Sequence, residues 1–157
     1  KWLKEGHPQD NQPVTLRDKH FTASFKGALV KNVTQVSAAS KLGDHTIIDA
    51  RDADRFKGKA AEPRAGLRAG HIPGSTNLHY KELLNDDGTM KNKDSLQSLF
   101  KKARINQEKP IITTCGSGVT AAIISLALEI VGYKNHSVYD GSWTEWGQFD
   151  QLPVEVG

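Results

Sequence analysis

The hexapeptide Cys115-Gly116-Ser117-Gly118-Val119-Thr120 follows the apolar run Ile111-Ile112-Thr113-Thr114 and precedes a segment of helical character, residues 121–131. A buried strand that passes through two glycines into a helix is a strand–turn–helix unit, and it puts the only cysteine of the chain at the turn. The glycines let successive backbone N–H groups turn inward and form a small anion-binding nest. The helix start adds partial positive charge. Both effects favour a thiolate, which makes Cys115 a candidate nucleophile. An inert core thiol is the competing reading, because free cysteine is among the most buried residue types. The flanking glycines weigh against it.

The segments around this unit repeat its alternation. Residues 1–20 are polar, carry Pro8 and Pro13, and read as a linker or tail. Phe21-Thr22-Ala23-Ser24-Phe25 alternates and is expected to form a first edge strand. Residues 33–42 have helical spacing with Gly43 as a stop. Thr46-Ile47-Ile48-Asp49-Ala50 reads as a buried strand, and residues 51–74 as a long loop rich in Gly, Pro and Arg. A short strand at 76–78, a short helix at 80–84 and a turn at Asp86-Asp87-Gly88 follow. Residues 94–104 pattern as an amphipathic helix with Leu96, Leu99, Phe100 and Ala103 on one side. After the thiol unit, Gly132 ends the helix, Ser137-Val138-Tyr139 forms the next strand, and Gly141-Ser142-Trp143 turns away from it. Strands alternating with helices predict an α/β domain, with a mostly parallel sheet and helices on both faces. In such a sheet the site forms beyond the C-terminal strand ends, where Arg51, Cys115 and Asp140 fall.

Composition narrows the function classes. A chain of 157 residues supports one domain with a proper core. The net charge is +3, and Lys and Arg are scattered with no run of five or more, so nucleic acid is not an expected partner. One cysteine excludes an internal disulfide framework and a multi-cysteine metal site, and it fits a reducing compartment. The histidines at 7, 20, 45, 79 and 136 show no metal-ligand spacing. No signal peptide is visible, and the longest apolar stretch is short and contains Glu129, so no membrane association is expected. The chain opens Lys1-Trp2-Leu3-Lys4 without Met, which suggests a piece of a longer protein.

Six segments carry a family resemblance: Asp49-Ala50-Arg51, Arg55-Phe56, Glu62-Pro63-Arg64-Ala65-Gly66, Gly70-His71-Ile72-Pro73-Gly74, the Cys115 to Thr120 hexapeptide, and Tyr139-Asp140-Gly141-Ser142-Trp143-Thr144-Glu145-Trp146. In this order and spacing, over residues 47–153, the chain resembles the C-terminal, catalytic domain of two-domain sulfurtransferases of the rhodanese superfamily, and among them those that use 3-mercaptopyruvate. The resemblance implies a rhodanese-like domain over residues 21–157, with residues 1–20 as the linker and end of a preceding rhodanese domain. It implies that Cys115 takes sulfur from 3-mercaptopyruvate as a persulfide, with release of pyruvate. A thiol such as thioredoxin, or cyanide, then accepts the sulfur. No cofactor is implied. The backbone of Gly116, Ser117, Gly118, Val119 and Thr120 would cradle the persulfide. Arg55 and Arg64 align with the substrate-binding arginines, a role that suits a planar guanidinium. Ser117 would polarise the ketone or relay a proton. Bacterial cytoplasm and mitochondrion both fit one reduced thiol.

Other assignments compete. Thiosulfate-using relatives carry basic residues directly after the cysteine, whereas Gly116 and Ser117 are neutral and small, which favours mercaptopyruvate over thiosulfate. A phosphatase on the same fold would need a loop-terminal arginine, and no arginine follows Arg104. No His and Asn context supports a cysteine protease. A non-catalytic rhodanese-like binding module remains the reading of a different class, separated by whether Cys115 accepts sulfur. Of the other conspicuous residues, Asp49 is expected to brace the long loop, Arg51 and Arg68 to be structural or solvated, and His71 to hold a turn through its ring. Trp143 and Trp146 are expected in the core or site wall, and Thr120 as a helix cap or loop bond.

Overall fold

A computed structural model of the chain describes residues 2–106 and 108–157. Five strands form one sheet: β1 (Val30–Lys31), β2 (Thr46–Asp49), β3 (Thr76–Asn77), β4 (Ile111–Thr114) and β5 (His136–Tyr139). Their spatial order is β1-β5-β4-β2-β3, and every pairing is parallel. Parallel neighbours need crossovers, which α1 (Val33–Leu42), α3 (Lys93–Lys102) and α4 (Val119–Val131) provide, with short helices α2 (Ala53–Phe56) and α5 (Ser142–Trp146) at the strand ends. Among the described residues no helix is long and apolar enough to cross a membrane.

The central strands are apolar on both faces, as a covered parallel sheet requires. Successive side chains point to opposite sides. Ile48 and Ile111 join Leu96 and Phe100 of α3 and Ile124 and Leu128 of α4 in one core. Their neighbours Ile47 and Ile112 join Val36 and Ala39 of α1 and Trp143 and Trp146 of α5 in the other. Helices therefore cover both faces, as the alternation predicts. Beyond the apolar stripe, local signals set where helices begin and end. Asn32 and Gln35 form a reciprocal capping box at the start of α1, and Gly43 closes that helix in the left-handed conformation.

Three expectations need correction. The segment 21–25 is not a strand; Phe21 and Phe25 are exposed, and the edge position beside β5 belongs to Val30–Lys31. Alternation alone does not make a strand when the ladder partner is taken. The stretch 51–74 contains α2, four residues long and too short to show a period. Gly141-Ser142-Trp143 does not simply turn but opens α5. The short helix expected at 80–84 is present as a 3-10 helix at Tyr80–Leu83.

Candidate functional site

Strand β4 is buried along its whole length, so it delivers Cys115 to a fixed point at its C-terminal end. The thiol residue is itself only 2% exposed. Gly118, with φ at +80°, then reverses the chain into α4. A side chain at Gly118 would stand 2.8 Å from the Asp140 carbonyl, so the turn also needs glycine for space. The helix cap is Gly118 without a side-chain bond; Thr120 lies inside the first turn and does not cap α4.

The turn after β5 holds this loop from behind. Ser142 Oγ accepts from the amides of Cys115 and Gly118, each at 3.1 Å, and donates to the Tyr139 carbonyl at 2.8 Å. The Trp143 amide donates to the Cys115 carbonyl at 2.9 Å, and the Thr144 amide to the Gly116 carbonyl at 2.8 Å. With 115 and 118 engaged by Ser142, the amides of Gly116, Ser117, Val119 and Thr120 have no protein partner among the described residues. Four backbone donors at a helix start form an anion cradle. The Gly118 amide, expected in the cradle, serves its support instead.

The long loop after β2 supplies the wall. Asp52 caps α2 by accepting from the Arg55 amide at 3.0 Å, and α2 swings Arg55 over Gly116. A Cβ at Gly116 would lie 3.1 Å from Arg55 Nη2, so glycine lets the guanidinium approach the loop. Arg55 donates to Glu62 through Nη2 at 2.6 Å and Nε at 3.2 Å. Burial works against the Arg55 charge, but hydrogen bonding to Glu62 and attraction by it prevail and hold the guanidinium above its ordinary value. Glu62 also receives Arg51 Nη1 at 2.8 Å. Arg51 is buried rather than solvated. It grips Asp49 through Nε and Nη2, donates to the Gly70 carbonyl, and lies 4.4 Å from the Trp143 ring centroid.

Arg64 approaches from the same loop and donates through Nη1 to Thr144 Oγ1. Arg68 is structural, bonding the carbonyls of Trp146, Phe149 and Leu152. His71 is buried, with Nδ1 2.7 Å from the Phe56 carbonyl and its ring stacked on Phe56, and it holds the turn rather than facing the thiol.

Together these groups enclose a cavity of about 290 Å³, with Cys115, Gly116, Ser117, Val119 and Thr120 on one side and Arg55, Glu62, Arg64 and Thr144 on the other. Ser117 is exposed at its mouth. Two cationic forks facing a cysteine and a set of free amides suit an anionic substrate that is attacked by sulfur. A roomier cleft of about 820 Å³ lies by Ile111, at the opposite end of β4 from the thiol, and holds none of these residues. Among the described residues, no three His, Cys, Asp or Glu side chains group in a way that could hold a metal ion. The sequence did not single out Glu62, Ser142 or Thr144, although all three lie within the matching segments.

The family model described as a rhodanese-like domain matches residues 32–149. The 3-mercaptopyruvate sulfurtransferase of Escherichia coli is 43% identical over 98% of the chain and 54% of its own length. The thiosulfate sulfurtransferase of Bos taurus is 37% identical over 99% of the chain and 52% of its own. The chain thus spans about half the length of these curated relatives. Among solved structures, Tum1 from Saccharomyces cerevisiae superposes with a TM-score of 0.85 at 30% identity, covering 98% of this chain and 57% of that one. The E. coli 3-mercaptopyruvate sulfurtransferase SseA superposes at 0.78 and 39% identity, covering 90% of this chain and 52% of its own.

Proposed function

Because this chain belongs to the rhodanese-like domain family, we propose that it is the catalytic unit of a sulfurtransferase that takes sulfur from 3-mercaptopyruvate onto Cys115. The carrying observation is the meeting of Cys115 with Arg55 and Arg64 around one small cavity.

The thiolate of Cys115 attacks the sulfur of the donor. The new S–S bond forms as the C–S bond breaks, and the electron pair leaves on carbon as the enolate of pyruvate, which takes up a proton. Arg55 and Arg64 hold the carboxylate and ketone, with Ser117 at the mouth to polarise the ketone or relay the proton. The unpartnered amides of the 116–120 loop stabilise the charge on the persulfide. In the second half-reaction an acceptor thiolate attacks the outer sulfur, and Cys115 leaves as a thiolate. This is ping-pong covalent catalysis. A small thiol protein such as thioredoxin suits the acceptor role, as does cyanide. A reducing compartment keeps Cys115 free.

Relatives named for either donor are similar to this chain, so thiosulfate is the second reading. The neutral Gly116 and Ser117 favour mercaptopyruvate, because thiosulfate brings its charge close to the transferred sulfur and calls for cations directly after the cysteine. Intact mass measured after incubation with each donor separately tests both. One added sulfur from mercaptopyruvate and little from thiosulfate supports the proposal. The reverse makes thiosulfate the donor. No gain from either, in the intact native protein, favours a binding module.

A further inference from the structure

We propose that Thr144 is a positioning residue that sets Arg64 over the Cys115 loop and so tunes the site toward a donor with a carboxylate; this rests on the sulfurtransferase reading above. Thr144 Oγ1 donates to the Gly116 carbonyl at 2.5 Å and accepts from Arg64 Nη1. A hydroxyl has one proton. With that proton committed to Gly116, only lone pairs face the cavity, so the hydroxyl selects a donor group and orients it. The bond to Thr144 is the one hydrogen bond of the Arg64 side chain among the described residues, and Arg64 is otherwise exposed.

The two arginines of the cavity are therefore held in different ways. A buried carboxylate fixes Arg55, whereas one neutral hydroxyl on α5 fixes Arg64. A free arginine would lose rotamer entropy on gripping a ligand, and pre-orienting it lowers that cost. The benefit depends on the shape of the donor. In 3-mercaptopyruvate the carboxylate lies two carbons beyond the carbon that bears sulfur, far enough to reach the opposite wall. In thiosulfate the charged oxygens sit on the atom bonded to the transferred sulfur, against the loop, and have no need of Arg64.

Steady-state kinetics with each donor, on the intact native protein, test the proposal through T144V, T144S, R64A and the R64A/T144V pair. T144V keeps the side-chain shape and removes the relay. It is expected to raise KM for 3-mercaptopyruvate about three- to tenfold, the net range of one ordinary hydrogen bond, since Arg64 is exposed and water offsets part of the loss, with kcat little changed. T144S is expected to restore the wild-type value, and T144V to add much less than its full effect once Arg64 is alanine. Thiosulfate transfer, where the wild type shows it, is expected to fall clearly less than 3-mercaptopyruvate transfer, because it loses only the bond to Gly116. The proposal is overturned if T144V matches wild type while R64A is impaired, or if T144V adds its full effect to R64A. It is equally overturned if both donors suffer alike, which would place the role of Thr144 in loop support. Should T144V fail to fold by thermal unfolding, T144A carries the same expectations. A wild type that accepts sulfur from neither donor refutes the sulfurtransferase reading itself, an outcome distinct from all of these.

Discussion

Glu62 Oε2 accepts from Arg55 Nη2 at 2.6 Å, and the carboxylate is 2% exposed while the guanidinium keeps 23% of its surface open. The pair is anchored at its buried end and available at the other. Glu62 also binds Arg51, which binds Asp49 at the end of β2. Charges of alternating sign thus run from the sheet to the arginine above Gly116. Such an arrangement fixes a binding group without filling its open edge.

Glu62→Gln removes the charge from this run while keeping its shape. Arg51 retains Asp49, but both arginines lose their shared counter-charge. Removing one partner of a buried pair costs about 3 kcal/mol. We expect a lower denaturant midpoint, reporting a loss of unfolding free energy of that order, and a raised donor KM, because Arg55 is no longer held. An unchanged midpoint would show that water, not Glu62, supports the two guanidiniums.

Cys115→Ser is expected to abolish sulfur acceptance. A serine oxygen cannot form the persulfide, so the mass gain seen with the wild type should vanish with either donor. Transfer that survives the serine change would remove Cys115 from the mechanism.

Much of this was legible in the chain because its signals are local. The strand Ile111–Thr114 and the helix Val33–Leu42 have the expected bounds, the first from an unbroken apolar run, the second from helical spacing closed by glycine. What escaped is non-local. The pairing edge beside β5 accepts Val30–Lys31 and leaves 21–25 unpaired, a choice among segments that alternation cannot rank. Helix α2 is one turn long, and its only sequence mark is Asp52 three residues before Arg55. Glu62 is one of 18 acidic residues, and nothing in its neighbours shows that two arginines will converge on it. Ser142 and Thr144 act through hydrogen bonds across 24 to 80 positions, which no periodicity reports.

Gly118→Ala tests the turn itself. The position has φ at +80°, and a Cβ would lie 2.8 Å from the Asp140 carbonyl and 3.0 Å from its carboxylate. Left-handed strain in a non-glycine residue costs about 1–3 kcal/mol, and relief would pull the Gly118 amide from Ser142. Gly43→Ala is the control, with φ at +63° and open space around it. We expect Gly118→Ala to lower both thermal stability and sulfur transfer, and Gly43→Ala to lower stability alone. Equal loss of transfer in both variants would mean that global stability, not the turn, limits activity.

The cap of α2 couples the site to pH. Burial disfavours the Asp52 charge, but the bond from the Arg55 amide and the attraction of the Arg55 guanidinium prevail and hold the carboxyl below its ordinary value. A carboxyl lowered by folding stabilises the fold above its unfolded pKa of about 4, and that contribution is lost as pH falls through the lower folded value. Asp52→Ala is expected to cost about 1 kcal/mol at neutral pH, the usual value of an N-cap. The gap between variant and wild type should narrow as pH falls below about 4. Asp52→Asn keeps a capping oxygen that does not titrate, so its stability relative to Asp52→Ala should stay level through the same range. Urea midpoints for the three proteins from neutral pH down to about 3 decide the matter. A wild-type advantage that persists undiminished at the acid end would show that Asp52 caps α2 through shape and hydrogen bonding alone, with no part played by its charge.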